Sequence, residues 1–224
     1  MNLPAPPSNQ KLQRHQLVRV LPAAWDAWLA SRDDLANEPL LSDWVRRGWP
    51  LIVRRPSPGD STGLPLGLPL PPSAGKRRIA IQMRAENIVA SEPLPTLADC
   101  FDTAPSAWQP CMRQLLALAK KDGVQARVFG SLAWQRLTGL EYLSPRSDLD
   151  IIWTLPSLDV IHMFLADLAE IESHAPMRLD GELVRTDGAG VNWRELHAAA
   201  SELVLKTATD VILCPRESFM GTSS

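Results

Sequence analysis

At 224 residues, with 45 % apolar residues and no apolar run approaching the length of a membrane span, the chain is expected to be soluble and to bury one large core or two small ones. A formal net charge of −2 argues against wholesale nucleic-acid binding. Cys100, Cys111 and Cys214 are odd in number and lack metal-ligand spacing, which suits inert thiols in a reducing cytoplasm. Met1 to Gln10 lacks a positive segment followed by an apolar one, so it does not read as a secretory signal, and its prolines make a tail unsuited to packing. Leu17 to Leu21 then predicts a short strand, Ala23 to Leu29 a helix carrying Trp25 and Trp28, and Leu40 to Arg47 a helix stopped by Gly48. Pro50 to Arg55 reads as a strand. Pro56 to Pro72, dense in Pro and Gly, reads as a loop or flap with no regular element. Ile79 to Met83 predicts another strand, so that the basic pairs at 54–55 and 77–78 are expected to flank one sheet edge. Ser91 to Pro105 is a second connection, and the domain boundary is expected between Pro93 and Pro110, giving a basic domain over 1–100 and a second over 101–224.

In the second half, Ser106 is expected to cap a helix that runs to Lys121 on an apolar face of Leu115, Leu116 and Leu118 and stops at Gly123. Val124, Ala126 and Val128 alternate as in a half-buried strand, which Gly130-Ser131 breaks before a helix over Leu132 to Leu137. Backbone N–H groups at such a turn are suited to phosphate oxygens, so Gly130 and Ser131 are candidate phosphate contacts. Asp148 and Asp150 stand two apart ahead of Ile151, Ile152 and Trp153, and on a strand of period two both carboxylates leave one face while Leu149 and Ile151 enter the core. Parallel carboxylates repel unless a cation lies between them, and Mg2+ takes hard oxygen ligands while keeping positions open for substrate phosphates. Leu158, Ile161, Leu165, Leu168 and Ile171 repeat at helical spacing. Met177 to Gly181 then supplies a third acid, Asp180. Asn192 and Glu195 have capping-box spacing for a helix starting at Trp193. Leu203 to Lys206 and Val211 to Cys214 read as buried strands, and Arg216 to Ser224 as a frayed tail. Lys206 either reaches a phosphate or closes a strand surface, and Trp134 is either core or a platform for an adenine. No metal-ligand spacing links His15, His162, His174 and His197, and His162 reads as a partly buried structural residue.

Gly-Ser at a strand end, a short helix, a loop and then Asp-x-Asp before apolar residues resembles the signature of the polymerase-beta-like nucleotidyltransferases. The long spacer from Leu132 to Ser147, together with Gly67-Leu-Pro-Leu-Pro-Pro72, Lys76-Arg77-Arg78, Asp180-Gly-Glu182, Val191 to Leu196 and Val204-Leu-Lys206, resembles a narrower family over most of the chain. That family is malonate decarboxylase holo-acyl-carrier-protein synthase, or phosphoribosyl-dephospho-CoA transferase. The resemblance implies an enzyme that moves a phosphoribosyl-dephospho-CoA group from triphosphoribosyl-dephospho-CoA to a serine of the apo acyl carrier subunit, releasing pyrophosphate. The fold class so expected is α+β: a C-terminal nucleotidyltransferase-like mixed sheet with flanking helices, plus a smaller N-terminal α+β domain.

Charge is uneven along the chain. Arg46, Arg47, Arg54, Arg55, Lys76, Arg77, Arg78 and Arg84 stand against Asp60 alone, a local net of +7, whereas the chain from Cys111 onward carries −4. Arg77 and Arg78 are candidates for the precursor, and Arg46 and Arg47 for steering the carrier. In the mechanism this suggests, Asp148 and Asp150 hold Mg2+ or Mn2+, and Asp180 completes a second metal position or acts as base toward the carrier serine. A nucleotidyltransferase with another acceptor, or a non-catalytic carrier-binding module, are the alternatives, and pyrophosphate release with magnesium, precursor and apo carrier separates the three.

Overall fold

The computed structural model describes residues 12–60 and 63–221, so the expected N-terminal tail and the last three residues lie outside the described residues. The chain divides into two compact units, Met1–Leu94 and Pro95–Ser224. Both mix helices with a sheet, an α+β composition.

Among the described residues the first unit holds a five-stranded antiparallel sheet in the order β4-β3-β2-β1-β5, with β1 at Leu17–Val20, β2 at Leu51–Val53, β3 at Leu64–Pro69, β4 at Arg78–Met83 and β5 at Ile88–Glu92. Helix α1 (Pro22–Ala30) and the shorter α2 (Pro39–Asp43) each open on a proline, whose missing N–H costs nothing at that position. Trp25 and Trp44 are fully buried, and their indole N–H groups donate to Leu41 O at 2.8 Å and Pro50 O at 3.0 Å, so neither ring hides an unsatisfied donor.

Four expectations are corrected here. The helix over Leu40 to Arg47 closes at Asp43, and turns carry the chain on to Gly48 at φ +73°. The loop over Pro56 to Pro72 contains strand β3, because Leu66 and Leu68 alternate into the core while Pro65 and Pro69 stand outside the Leu66–Gly67 stretch that pairs with β2. Arg54 and Arg78 do not share a sheet edge: Arg54 lies beside Leu66 and Asp60, and Arg78 pairs opposite Pro69 at the other end of β3. Ser91 belongs to a strand, β5, rather than to a connection.

Among the described residues the second unit builds a six-stranded mixed sheet in the order β11-β10-β9-β8-β7-β6. Its strands are β6 (Ala126–Val128), β7 (Leu149–Thr154), β8 (Leu179–Val184), β9 (Gly190–Asn192), β10 (Glu202–Lys206) and β11 (Val211–Pro215). Among the described strands only β7 and β8 run parallel, joined through α5 (Ile161–Ser173). Leu149, Ile151 and Trp153 leave one face of β7 and share a core with Leu115, Met112 and Leu118 of α3 (Gln109–Lys121) and Phe164, Leu165 and Leu168 of α5. Trp153 meets Phe164 edge-on at 5.3 Å between ring centroids. Leu97 and Cys100 also lie in this core. Helix α4 (Gly130–Thr138) follows β6, α6 (Trp193–His197) follows β9, and α7 (Arg216–Met220) follows β11.

Here too the periodicity misled in places. Ser106 caps nothing: it opens a single 3-10 turn after Pro105, and α3 continues from that turn with no side-chain cap. Leu158 precedes α5 and is exposed, and His162 sits on that helix's solvent side. Asn192 does cap α6, accepting from Arg194 N, but Glu195 turns away and accepts from Val204 N at 2.8 Å. Strand β11 is an edge on which Val211, Ile212 and Leu213 are exposed. The C-terminal stretch, expected as a frayed tail, is helical over Arg216–Met220, with Phe219 1 % exposed. The three cysteines are buried and unpaired, and burial pushes the Cys100 thiol up to about 12 and the Cys111 thiol up to about 11.

Candidate active site

The parallel pair β7–β8 places the acids. Asp150 is the register partner of Asp180, and Leu149 N donates to Arg178 O at 2.9 Å, which extends the parallel register toward Asp148 and Arg178. Because side chains alternate, Asp148, Asp150, Arg178, Asp180 and Glu182 all stand on the face opposite the helix-covered core. Adjacent strands lie about 4.8 Å apart, so two like charges directly opposite each other repel unless cations intervene. Two arginines do. Arg178 straddles the acids, its Nη1 3.9 Å from Asp148 Oδ2 and its Nη2 3.9 Å from Asp180 Oδ1. Arg194 brings Nη1 to 3.6 Å from Asp180 Oδ1 and is itself fixed by Glu172, by Leu179 O at 2.6 Å and by stacking over the Trp193 ring. Asp180 Oδ1 also accepts from Asn192 Nδ2 at 3.3 Å and from its own neighbour Gly181 N at 3.0 Å.

Asp150 is held against the turn that opens α4. Gly130 has φ +65°, and a Cβ built there would lie 1.8 Å from Asp150 Oδ2, so only glycine lets the carboxylate approach this backbone. Phe129 N donates to Asp150 O at 3.0 Å and locks the turn to β7, while Phe129 offers no side-chain acceptor to the first turn of α4. Ser131, the second residue of α4, is half-buried. Gly181 answers a second close approach, since a Cβ there would lie 2.4 Å from Ile151 O. The spacer before Asp148 is ordered by Gln135, whose Oε1 accepts from Tyr142 N and Leu143 N, each at 3.1 Å.

Other candidates have different surroundings. Lys206 Nζ donates to Glu182 Oε1 at 2.7 Å, and among the described residues Glu182 is the one polar side chain so deeply buried, at 3 % exposure. Trp134 is buried, 6.4 Å from Tyr142 between ring centroids, and presents no open platform for a base. The +7 stretch is largely neutralised by anions that a linear count leaves out: Arg46 pairs with Asp26 at 2.5 Å, Arg47 with Asp43 at 3.9 Å, Arg77 with Glu38 and Arg84 with Glu86 at 3.2 Å. Arg54 pairs with Asp60 at 2.6 Å and holds that carboxyl well below the usual range. Among the described residues Lys76 and Arg78 are exposed and make no side-chain hydrogen bond or ion pair. Four residues of the acid face escaped the sequence reading as functional groups: Arg178, Glu182, Asn192 and Arg194. Arg178 had a signal, for the same period-two rule that pairs Asp148 with Asp150 puts it beside Asp180.

Residues 96–217 match the family described as phosphoribosyl-dephospho-CoA transferase MdcG C-terminal domain, and residues 13–93 match the corresponding N-terminal domain. The chain belongs to the phosphoribosyl-dephospho-CoA transferase family. A phosphoribosyl-dephospho-CoA transferase of Bradyrhizobium diazoefficiens is 50 % identical over 208 residues, 93 % of this chain and 92 % of that one. A second, from Xanthomonas campestris pathovar campestris, is 38 % identical over 80 % of this chain and 84 % of its own. A third, from Xanthomonas axonopodis pathovar citri, is 36 % identical over 94 % of this chain and 98 % of its own. No solved structure matches. The two phosphoribosyl-dephospho-CoA transferase domain matches adjoin at residues 94–95, where the chain divides into its compact units.

Proposed function

We propose that this chain transfers the phosphoribosyl-dephospho-CoA group from triphosphoribosyl-dephospho-CoA to a serine of the apo acyl carrier subunit of malonate decarboxylase, releasing pyrophosphate. The observation that carries the reading is the acid face of β7–β8, where Asp148, Asp150 and Asp180 converge next to the Gly130-Ser131 turn. The family membership supplies the substrate class.

The donor set fits Mg2+ or Mn2+. No three ligand groups form a ready-made cage among the described residues, but Mg2+ characteristically takes one or two carboxylates and completes its shell with water and substrate phosphates. Asp148 and Asp150 would hold the ion, which when bound neutralises charge on the leaving pyrophosphate. Gly130 and Ser131 orient phosphate oxygens through the start of α4. Asp180 has one oxygen engaged by Gly181 and Asn192, which fixes its orientation for a second metal position or for receiving the proton of the carrier serine. In-line attack by that hydroxyl at the ribose-linked phosphorus forms the phosphodiester and breaks the bond to pyrophosphate. The protein mainly positions charge.

Lys206, the remaining phosphate candidate, is better read as the counter-ion of buried Glu182, since removing its charge would take a cation away from a carboxylate buried from water. Arg78, exposed and unengaged, is the stronger precursor candidate of the Arg77–Arg78 pair, whereas Arg46 and Arg47 already have carboxylate partners. No helix among the described residues is long and apolar enough to cross a membrane. Membrane and nucleic acid are absent from the proposed partners, and the cytoplasm is the proposed setting. Incubating the protein with precursor, magnesium and apo carrier, then weighing the carrier by mass spectrometry, tests the reading. A mass gain equal to the phosphoribosyl-dephospho-CoA group supports it, and an unmodified carrier or one bearing a plain nucleotide overturns it.

A further inference from the structure

We propose that Arg178, which lies between Asp148 and Asp180, competes with the metal for the carboxylate of Asp148 and, once displaced by it, grips the pyrophosphate portion of the substrate. The proposal rests on the metal reading above and assigns a positioning and binding role to a residue that the motif does not include. Both guanidinium nitrogens lie 3.9 Å from their carboxylate oxygens, the outer limit of an ion pair, and neither makes a tight hydrogen bond there. The side chain is 58 % exposed, so each contact is weak and water-screened. Arg194 touches the same Asp180 but is tied down by Glu172, Leu179 O and the Trp193 ring. One arginine is therefore fixed and the other is free to turn.

Electrostatics gives the turn a direction. A divalent ion held by Asp148 and Asp150 offers the Asp148 carboxylate twice the charge in a smaller radius, so it outcompetes a loosely held guanidinium there and then repels it. The displaced side chain stays on the acid face, because its backbone is locked to β7 through Leu149 N. The anion nearest the metal in the complex is the triphosphate, whose terminal oxygens suit a planar five-donor fork. Competition for free metal and attraction for the metal-bound anion thus belong to one residue.

Titrating Mn2+ and then Mn2+-pyrophosphate into full-length wild type, Arg178→Gln and Arg178→Lys by calorimetry tests this without measuring turnover. Arg178→Gln should bind Mn2+ about fivefold more tightly than wild type, the order of one surface Coulombic contact at this distance. It should also bind Mn2+-pyrophosphate about tenfold more weakly, the order of one or two charge-assisted hydrogen bonds lost. Arg178→Lys keeps the charge without the fork, so its Mn2+ affinity should stay within about twofold of wild type while pyrophosphate binding weakens severalfold. The proposal is overturned if Arg178→Gln binds Mn2+ no more tightly than wild type, or if both variants bind Mn2+-pyrophosphate with wild-type affinity. Undiminished Mn2+ binding by Asp148→Asn with Asp150→Asn overturns the metal reading instead, so the two failures leave different signatures.

Discussion

Gly130 is the residue whose identity the geometry constrains most tightly. Its left-handed φ of +65° and the 1.8 Å that would separate a Cβ from Asp150 Oδ2 leave room for no side chain. Gly130→Ala should cost roughly 2 kcal/mol or more in urea unfolding, from backbone strain and the displaced carboxylate together. Adding Asp150→Ala should restore part of that stability but none of the activity, because the two residues are coupled through one contact. Asp148→Asn or Asp150→Asn keeps shape and removes charge, so pyrophosphate release at saturating magnesium should fall at least about a hundredfold with near-ultraviolet circular dichroism unchanged. Retention of more than a tenth of wild-type transfer would dismiss the metal assignment. Lys206→Met should destabilise the protein by about 3 kcal/mol or more, the order of removing one partner of a buried ion pair, and Glu182→Leu in the same chain should recover most of it. A Lys206→Met protein of wild-type stability that binds precursor poorly would instead make Lys206 a phosphate contact.

Elements were legible where burial and periodicity agree. Strand β7 reads directly from the alternation of Leu149, Ile151 and Trp153, and α3 from its apolar stripe. Strand β3 was missed because Pro and Gly lower any local strand preference, whereas pairing on both sides and burial of Leu66 and Leu68 outweigh that preference. Strand β11 failed the other way: Val-Ile-Leu reads as core, yet the strand ends the sheet and its side chains face solvent. Leu66→Ala should therefore cost about 2–5 kcal/mol by denaturant unfolding, the range for a buried leucine truncated to alanine. Leu213→Lys, at a position 66 % exposed, should change stability by no more than about 0.5 kcal/mol. Equal costs for the two would mean that β11 is covered in solution.

For the molecule as a whole, the division into two units, each with its own sheet, predicts that residues 95–224 expressed alone unfold cooperatively, checked by calorimetric and spectroscopic transitions that coincide. Binding tests the basic stretch: Arg77→Ala with Arg78→Ala should weaken the precursor, and Arg46→Ala with Arg47→Ala the carrier, in calorimetric titrations of each variant with each partner. Equal losses, or none, would remove that division of labour, and the pairings of Arg46, Arg47 and Arg77 make Arg78 the principal contributor. By itself the sequence determined the α+β class, the Gly130-Ser131 turn, the same-face pairing of Asp148 with Asp150 and, through its long spacer and flanking motifs, the family. Those features depend on neighbours a few residues apart, where helix and strand periods govern. Tertiary structure alone decided that Asp180 stands opposite Asp150, that Arg194 sits among the acids, that Lys206 neutralises Glu182 and that Arg46 and Arg77 are matched by the distant carboxylates of Asp26 and Glu38. Strand register and ion pairing of this kind join residues more than a dozen positions apart, and no local period carries that information.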